Sequence, residues 1–350
     1  MKTIKDIDLK NQIILMRVDY NVPLKDGVIT DDLRIRASLP TINYLLKNDV
    51  KKIVLISHLG RPEGKENPDF SLSPVADTLR NLLQNQKIGF YQLPKKAEKI
   101  NTPEDERIVL LENLRFDPGE EANNPDFIKN IIDSINADVF VQDGFAVVHR
   151  AHASTDAIKN FLPVYSGFLV EKEVENLTKV LKNPEHPVLL IIGGSKVEDK
   201  QPLIDKFINI ADHILVGGKI AADGYKSENE KIIVAHDFDE DSMGNKLDIG
   251  PISTSEFAKY IENAKTIIWN GVMGKVEDPA FTTASSIIAD LIGKNQDATT
   301  IICGGDTAGF VENYLKNHQD LSYSLISTGG GASLEFLLGK KLPGLVAIAN

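Results

Sequence analysis

Ten short apolar runs, each ending in a polar or glycine-rich turn, punctuate this chain of 350 residues and restrict what it can fold into. In the first half they are Ile13–Val18, Lys52–Ile56, Ile108–Leu111 and Asp138–Val141. In the second half they are Val188–Ile192, His213–Val216, Lys231–Val234, Thr266–Trp269, Thr300–Cys303 and Ser324–Ile326. Runs this short and without alternation suit strands buried on both faces, as in parallel sheets. Between them lie stretches with helical spacing of apolar residues, at Leu33–Leu46, Ser73–Leu83, Pro125–Ile135, Thr254–Asn263 and Thr283–Leu291. The alternation predicts an α/β chain of two doubly wound, parallel-sheet (Rossmann-like) domains joined by a hinge helix. The connector is Gly167–Leu181, halted by Asn183-Pro184-Glu185-His186-Pro187. The expected limits are an N-terminal domain at 1–166, the helix at 167–184 and a C-terminal domain at 185–334. A last segment, 335–350, is expected to return towards the N-terminal domain.

Totals remove several classes of function. A formal net charge of −11 argues against nonspecific nucleic-acid or anionic-membrane binding, so any anion site must be local. One cysteine, Cys303, excludes an internal disulfide framework and suits a reducing compartment. Met1–Lys10 has no signal-peptide core, and no apolar run approaches the ~20 residues a membrane span needs. The expectation is a cytoplasmic monomer with no nucleic-acid or membrane partner.

In open α/β sheets ligands sit beyond the carboxyl ends of the strands, so the residues just past each apolar run carry the chemistry. All eight arginines (Arg17, Arg34, Arg36, Arg61, Arg80, Arg107, Arg115 and Arg150) fall in the first 150 residues. Four strand ends there deliver Arg17-Val18-Asp19-Tyr20-Asn21, Ser57-His58-Leu59-Gly60-Arg61, Glu112-Asn113-Leu114-Arg115 and Asp143 through His152. Any one of these could be a helix cap or a surface ion pair. Four at one rim favour a site for a small anion bearing phosphate and carboxylate, which guanidinium forks match. The second half offers other chemistry: Gly193-Gly194-Ser195-Lys196 through Lys200, Gly217-Gly218-Lys219, Asn270-Gly271 with Glu277, Gly304-Gly305-Asp306-Thr307, and Thr328 through Ser333. Glycines admit backbone N–H groups to phosphate oxygens, lysines neutralise them, and Asp306 is a carboxylate suited to magnesium. The P-loop pattern is absent, since Ile220 follows Gly217-Gly218-Lys219 where Ser or Thr is required. The dinucleotide fingerprint is absent too, because Leu334 stands where its third glycine belongs. From residues alone the reading ends at a two-domain phosphotransferase or nucleotide-dependent enzyme.

These residues resemble the phosphoglycerate kinase family. RVDYNVPL (Arg17–Leu24), RIRA (Arg34–Ala37), SHLGRP (Ser57–Pro62), LLENLRF (Leu110–Phe116) and HRAHAS (His149–Ser154) match its N-terminal motifs in order. GGSKVEDK (Gly193–Lys200), LDIGP (Leu247–Pro251), GGDT (Gly304–Thr307) and STGGGASLE (Ser327–Glu335) match its C-terminal ones. The resemblance implies reversible phosphoryl transfer from 1,3-bisphosphoglycerate to Mg-ADP, giving 3-phosphoglycerate and ATP in glycolysis and gluconeogenesis. It implies that Asp19, Asn21, Arg34, His58, Arg61, Arg115 and Arg150 bind the acid. It also implies that Lys196, Lys200, Asn270, Gly271, Glu277, Gly304, Gly305, Asp306, Thr307, Gly329 and Gly330 serve the nucleotide, with Asp306 also at the magnesium. Arg34 and Lys196 are the residues expected to stabilise the migrating group, with the domains closing about the connector and excluding water.

The chain is several tens of residues shorter than familiar family members, with most of the loss between Gly218 and Lys231. Val272 replaces a proline, and Lys275-Val276 an apolar pair before Glu277, so the base-binding wall and nucleotide preference are open. A binding protein of the same fold with reduced turnover is the alternative function, and retention of Arg34, Lys196, Lys200 and Asp306 argues against it. An NAD-dependent dehydrogenase is disfavoured by the missing fingerprint.

Overall fold

The protein is described here by a computed structural model covering residues 1–349. It divides into two compact units: Met1–Lys172 with the chain from Lys341 onward, and Glu173–Lys340. Each unit is built round a six-stranded parallel sheet.

In the first unit the strands are β1 (Ile13–Arg17), β2 (Lys52–Ile56), β3 (Ile88–Tyr91), β4 (Ile108–Leu111), β5 (Val139–Gln142) and β6 (Val164–Ser166), in the order β3-β4-β2-β1-β5-β6. Ile14 of β1 lies opposite Ile53 on one side and Val139 on the other. Residues facing both ways from the central strands are buried, which is why those strands read as unbroken apolar runs. Ile35, Ile42 and Leu45 of the helix Leu33–Lys47 pack with Ile14, Met16, Leu55 and Val141. Each such side chain removed from water contributes on the order of 1.5–3 kcal/mol. The helix Pro125–Ile135 starts where its sequence says it should. Asn124 accepts from the Asp126 N–H at 2.9 Å, Pro125 takes the first position, and Asn136 closes the end at φ 51°.

In the second unit the strands are β7 (Val188–Ile192), β8 (His213–Val216), β9 (Ile232–Val234), β10 (Thr266–Asn270), β11 (Thr299–Cys303) and β12 (Leu325–Ile326). Their order, β9-β8-β7-β10-β11-β12, is the dinucleotide-fold order 3-2-1-4-5-6, with the topological switch between β7 and β10. Trp269 is fully buried in this core and donates its indole N–H to the Gly271 carbonyl at 2.8 Å.

Several elements lie outside the sequence expectations. The strands β3 and β6 are edges, half-exposed in part, and their short stretches carry little apolar signal. Two small hairpins, Leu24–Lys25 with Val28–Ile29 and Phe238–Glu240 with Lys246–Ile249, add two-stranded ribbons outside the main sheets. The helix Val197–Phe207 carries Pro202 within it, which hides its periodicity. The connector forms Phe168–Lys182, one residue later than expected. The division between units falls inside it, after Lys172, so it is shared rather than separate. Residues 335–340 stay with the second unit, and only the chain from Lys341 joins the first, where the Gly344 N–H donates to the Val148 carbonyl at 2.9 Å.

The start of that connector is held by a buried acid. Asp143, just past β5, accepts from the Leu169 N–H at 2.9 Å, while Thr41 Oγ1 accepts from Phe168 N–H at 3.0 Å. Burial pushes the Asp143 carboxyl up to about 8, against the opposing Thr41 hydroxyl and Leu169 amide. An unfolded chain loses this proton near pH ~4, and the folded one keeps it to about 8. The native state therefore binds more protons across that window, and the group's contribution is complete below the lower value and is lost as pH rises through the upper. Asp143→Asn is expected to gain stability relative to the unsubstituted protein as pH rises from 4 to 8, by ~1 kcal/mol or more at pH 7. Denaturant unfolding at both ends of the range checks this; a gap independent of pH contradicts it.

Candidate active site

The carboxyl ends of β1, β2, β4 and β5 assemble the first set of candidate residues. Asp19, two residues past β1, is nearly buried and bonds the Arg34 guanidinium through Oδ2, while its Oδ1 accepts from the Asn21 N–H at 3.2 Å. His58 Nδ1 lies 3.9 Å from the same carboxylate and 3.1 Å from Arg17 Nη2. Asn21 Oδ1 accepts from Gly60 N–H at 2.9 Å, and Arg115 Nη1 donates to the Gly60 carbonyl at 2.7 Å. Gly60, at φ +61°, turns so tightly that an added Cβ would sit 2.3 Å from the Phe70 ring. That turn sets Arg61 at the surface, exposed and without a recorded partner among the described residues. Arg150, half-buried, likewise keeps its side chain uncommitted.

The electrostatic signature of this rim is a strong positive field. Burial, followed by the charges of Arg17, Arg115, Arg150 and Arg34, holds His58 well below its ordinary pKa. Burial and the same arginines on its side of the rim bring His152 down to about 4. Both rings are neutral at physiological pH. Arg115 itself is lowered by burial, with Glu121 opposing, and its Nη2 is buried without a hydrogen-bond partner. Its Nε lies 3.0 Å from Glu121 Oε1 but is not aligned as a hydrogen bond, so the ion pair leaves donors unspent. Unsatisfied buried donors beside clustered guanidinium groups suit an oxyanion.

The second set lies at the switch point of the other sheet. Gly193 N–H donates to the Asn270 carbonyl at 3.1 Å and Gly194 N–H to the Val272 carbonyl at 2.9 Å, tying the turn after β7 to the end of β10. Lys200 bonds Asn270 Oδ1, and Asn270 Nδ2 in turn reaches Cys303 Sγ at 3.3 Å. Burial lowers the Lys200 ammonium, against the pull of Cys303, Asp199 and Asp306. Burial pushes the Cys303 thiol up to about 11, so it is inert. A cavity of about 250 Å³ is lined by Lys196, Lys200, Gly271, Gly304, Asp306 and Thr307 among others. A second cavity of about 240 Å³ shares Gly194, Ser195, Val272 and Asp306 with it and extends past Lys219, Phe238, Lys246, Lys275 and Glu277. The two form one cleft, polar at one end and part aromatic at the other.

Most of the second set therefore meets in this cleft. Gly329 and Gly330 line neither cavity, and the Gly329 N–H is already donated to Ser327 Oγ at 3.1 Å. Lys219 borders the cleft but is paired with Asp223 at 2.7 Å, four residues on. Sequence reasoning gives Arg17 and His152 only a place in the strand-end sets and gives Glu120 and Ser154 no role of their own; all four lie beneath the first rim. The signals in the sequence are the RVDYNVPL run for Arg17 and the HRAHAS run for His152 and Ser154, whereas Glu120 reads as an ordinary helix-start acid.

A comparison with known proteins follows the same pattern. The family described as phosphoglycerate kinase matches residues 4–242 and 222–340, two segments that overlap at the shortened stretch after β8. The phosphoglycerate kinase of Pseudothermotoga lettingae is 39% identical over 397 aligned positions, covering 99% of this chain and 98% of that protein. That of Thermosipho africanus is 39% identical over 401 positions, with 99% and 98% covered. The solved structure of phosphoglycerate kinase from Coxiella burnetii aligns with a TM-score of 0.81 at 33% identity, covering 99% of this chain and 98% of that one.

Proposed function

The chain belongs to the phosphoglycerate kinase family, and from that membership we propose that it moves a phosphoryl group reversibly between 1,3-bisphosphoglycerate and ADP, yielding 3-phosphoglycerate and ATP. The observation that carries the site assignment is the cluster of arginines at the first rim. There, among the described residues, Arg115 Nη2 is buried without a hydrogen-bond partner and Arg61 and Arg150 keep their side chains uncommitted. Such a rim is costly without a polyanion and is satisfied by a phosphorylated acid. In this reading Arg61, Arg115 and Arg150 receive the phosphate of 3-phosphoglycerate, and Asp19 and Asn21 its hydroxyl and carboxylate end. The cleft at β7 and β10 takes ATP or ADP: Lys196 and Lys200 with the turns at Gly271 and Gly304–Thr307 face the phosphates, and Glu277 faces the ribose.

Phosphoryl transfer asks the protein for alignment and charge stabilisation rather than covalent help. Arg34 and Lys196 are the residues assigned to stabilising the charge on the migrating group. Water has to be kept out during transfer, because the acyl phosphate hydrolyses.

The residues present fit magnesium. Asp306 is exposed in the first turn of the helix Gly305–Leu315 and borders both cavities. Among the described residues no group of three or more His, Cys, Asp or Glu could hold an ion unaided. Magnesium commonly binds through one or two carboxylates plus nucleotide phosphates, and one carboxylate is what Asp306 offers. When bound it would neutralise phosphate charge. A cytoplasmic monomer completes the reading; no helix among the described residues is long and apolar enough to cross a membrane.

A coupled assay with 3-phosphoglycerate and ATP, repeated with GTP and with magnesium chelated, tests this. Turnover that needs the acid, a nucleotide and magnesium is expected. Nucleotide binding without turnover would leave only the binding-protein alternative standing.

A further inference from the structure

Beneath the first rim lies a row of polar side chains that a bound acid could not reach. Arg17 is 1% exposed and its guanidinium is committed to the protein. Nε donates to Ser154 Oγ at 3.0 Å, Nη1 to the Val18 carbonyl at 2.6 Å, and Nη2 lies 3.1 Å from His58 Nδ1. Ser154 and Glu120 are fully buried. Ser154 donates twice to that carboxyl, from Oγ to Oε1 at 2.6 Å and from its backbone N–H to Oε2 at 3.0 Å.

The directions of these bonds follow from chemistry. A guanidinium can donate and never accept, so the His58 Nδ1 it faces must be bare. A neutral imidazole then carries its one proton on Nε2. Ser154 has a single hydroxyl proton; it gives that proton to Glu120 and keeps a lone pair for Arg17. Burial raises the Glu120 carboxyl, with Arg17 and Ser154 opposing, yet Oε1 accepts the Ser154 proton whether or not Oε2 is protonated. Donation thus runs from Arg17 in both directions, inward through Ser154 to Glu120 and outward to His58 Nδ1 at the rim, so Ser154 and Glu120 act by holding the guanidinium in place.

We propose that Glu120 and Ser154 are positioning residues for the acid substrate: acting through Arg17, they fix His58 as the Nε2–H tautomer, so that the ring offers a donor to an anion. The opposite tautomer would turn a lone pair towards a carboxylate or phosphate oxygen and repel it. This inference rests on the placement of 3-phosphoglycerate at this rim. It also separates geometry from charge. Glu120 is an acid beside an anion site, so if only its charge mattered, neutralising it would tighten binding of the acid. If it orients the row, neutralising it weakens binding, because a glutamine amide must turn an N–H towards either the Ser154 amide or the Ser154 oxygen.

The test uses the full-length protein labelled with ¹⁵N, as Ser154→Ala and Glu120→Gln beside the unsubstituted chain. Histidine ring ¹⁵N spectra and steady-state KM for 3-phosphoglycerate and for ATP are measured on each. The unsubstituted protein is expected to show His58 as a single Nε2–H form. Both variants are expected to show mixed tautomers, with KM for 3-phosphoglycerate raised about tenfold and KM for ATP unchanged. Ser154→Ala removes one small buried hydroxyl and decides alone should Glu120→Gln fail to fold. An unaltered His58 spectrum in Ser154→Ala overturns the relay. A lower KM for 3-phosphoglycerate in Glu120→Gln overturns positioning in favour of charge. A tautomer change with KM untouched overturns the link to the substrate and the placement of the acid here. No turnover in the unsubstituted protein overturns the proposed function itself, and is seen before either variant is made.

Discussion

Arg34→Ala and Lys196→Ala are each expected to lower kcat by about 10²–10³-fold while leaving the fold intact. Both side chains can be removed without loss of the fold. Arg34 is about one-third exposed (35%) and its recorded partner is the Asp19 carboxylate, at the rim rather than in the core. Lys196 is exposed at the start of the helix Val197–Phe207 and has no recorded partner among the described residues. Loss of Lys196 breaks no ion pair, whereas loss of Arg34 leaves the nearly buried Asp19 carboxylate with the Asn21 N–H, so Arg34→Ala is expected to cost about 1–3 kcal/mol without unfolding the protein. The loss at the transition state is larger because charge on the migrating group's oxygens must be met where water is excluded. Arg34→Lys should recover little, since an ammonium cannot reproduce a fork held against Asp19. Rate measurements at saturating 3-phosphoglycerate and ATP, with unfolding followed in parallel, decide the matter. Turnover within about threefold of the unsubstituted protein would remove that residue from the assignment.

What the sequence made legible follows from burial. β1, β2, β4, β7 and β10 are central strands covered on both faces, so selection for apolar residues at every position leaves runs such as Ile53–Ile56 and Val188–Ile192. β3 and β6 have one open edge and a mixed surface; Gly89 in one and Tyr165 in the other erase the run. The candidate residues were legible for a related reason. Chain direction in a parallel sheet fixes which end of every strand faces the ligand, so Asp19, His58, Arg115 and Asn270 could be read from their place after each run. The supporting row of Arg17, Ser154 and Glu120 could not, because it depends on three segments meeting in space. Glu120 sits in the short helix Pro118–Glu121, where an acid in the first turn is ordinary, and nothing local marks it as fully buried. Gly329 shows something else that spacing does not reveal: the hydroxyl of Ser327 accepts its amide.

Gly271→Ala should be the most damaging single-methyl change in the second unit. The residue follows β10 at φ +109°, and an added Cβ would lie 2.2 Å from the carbonyl carbon and oxygen of Gly193. Those are backbone atoms, which cannot swing aside as a side chain could. Gly193 has the same restriction from the other strand, with its own Cβ position 2.3 Å from the Val272 carbonyl oxygen. The ends of β7 and β10 therefore touch through two glycines at the switch point. A methyl group must part them, and with them the Lys200–Asn270 bond and the 2.7 Å bond from Gly271 N–H to Thr307 Oγ1. The left-handed backbone adds roughly 1–2 kcal/mol of strain for any L-residue. Together these predict a loss of about 3–5 kcal/mol in stability and at least a hundredfold loss of ATP affinity. Gly305→Ala is the matched control: it lines the same cavity, but its Cβ position meets nothing within 4 Å. That variant should stay within about 0.5 kcal/mol of the unsubstituted protein, which makes it the control for stability. Calorimetric titration with ATP and denaturant unfolding on the pair measure both effects. If Gly271→Ala is as stable as Gly305→Ala, the close approach of the two strands is not what shapes the cleft.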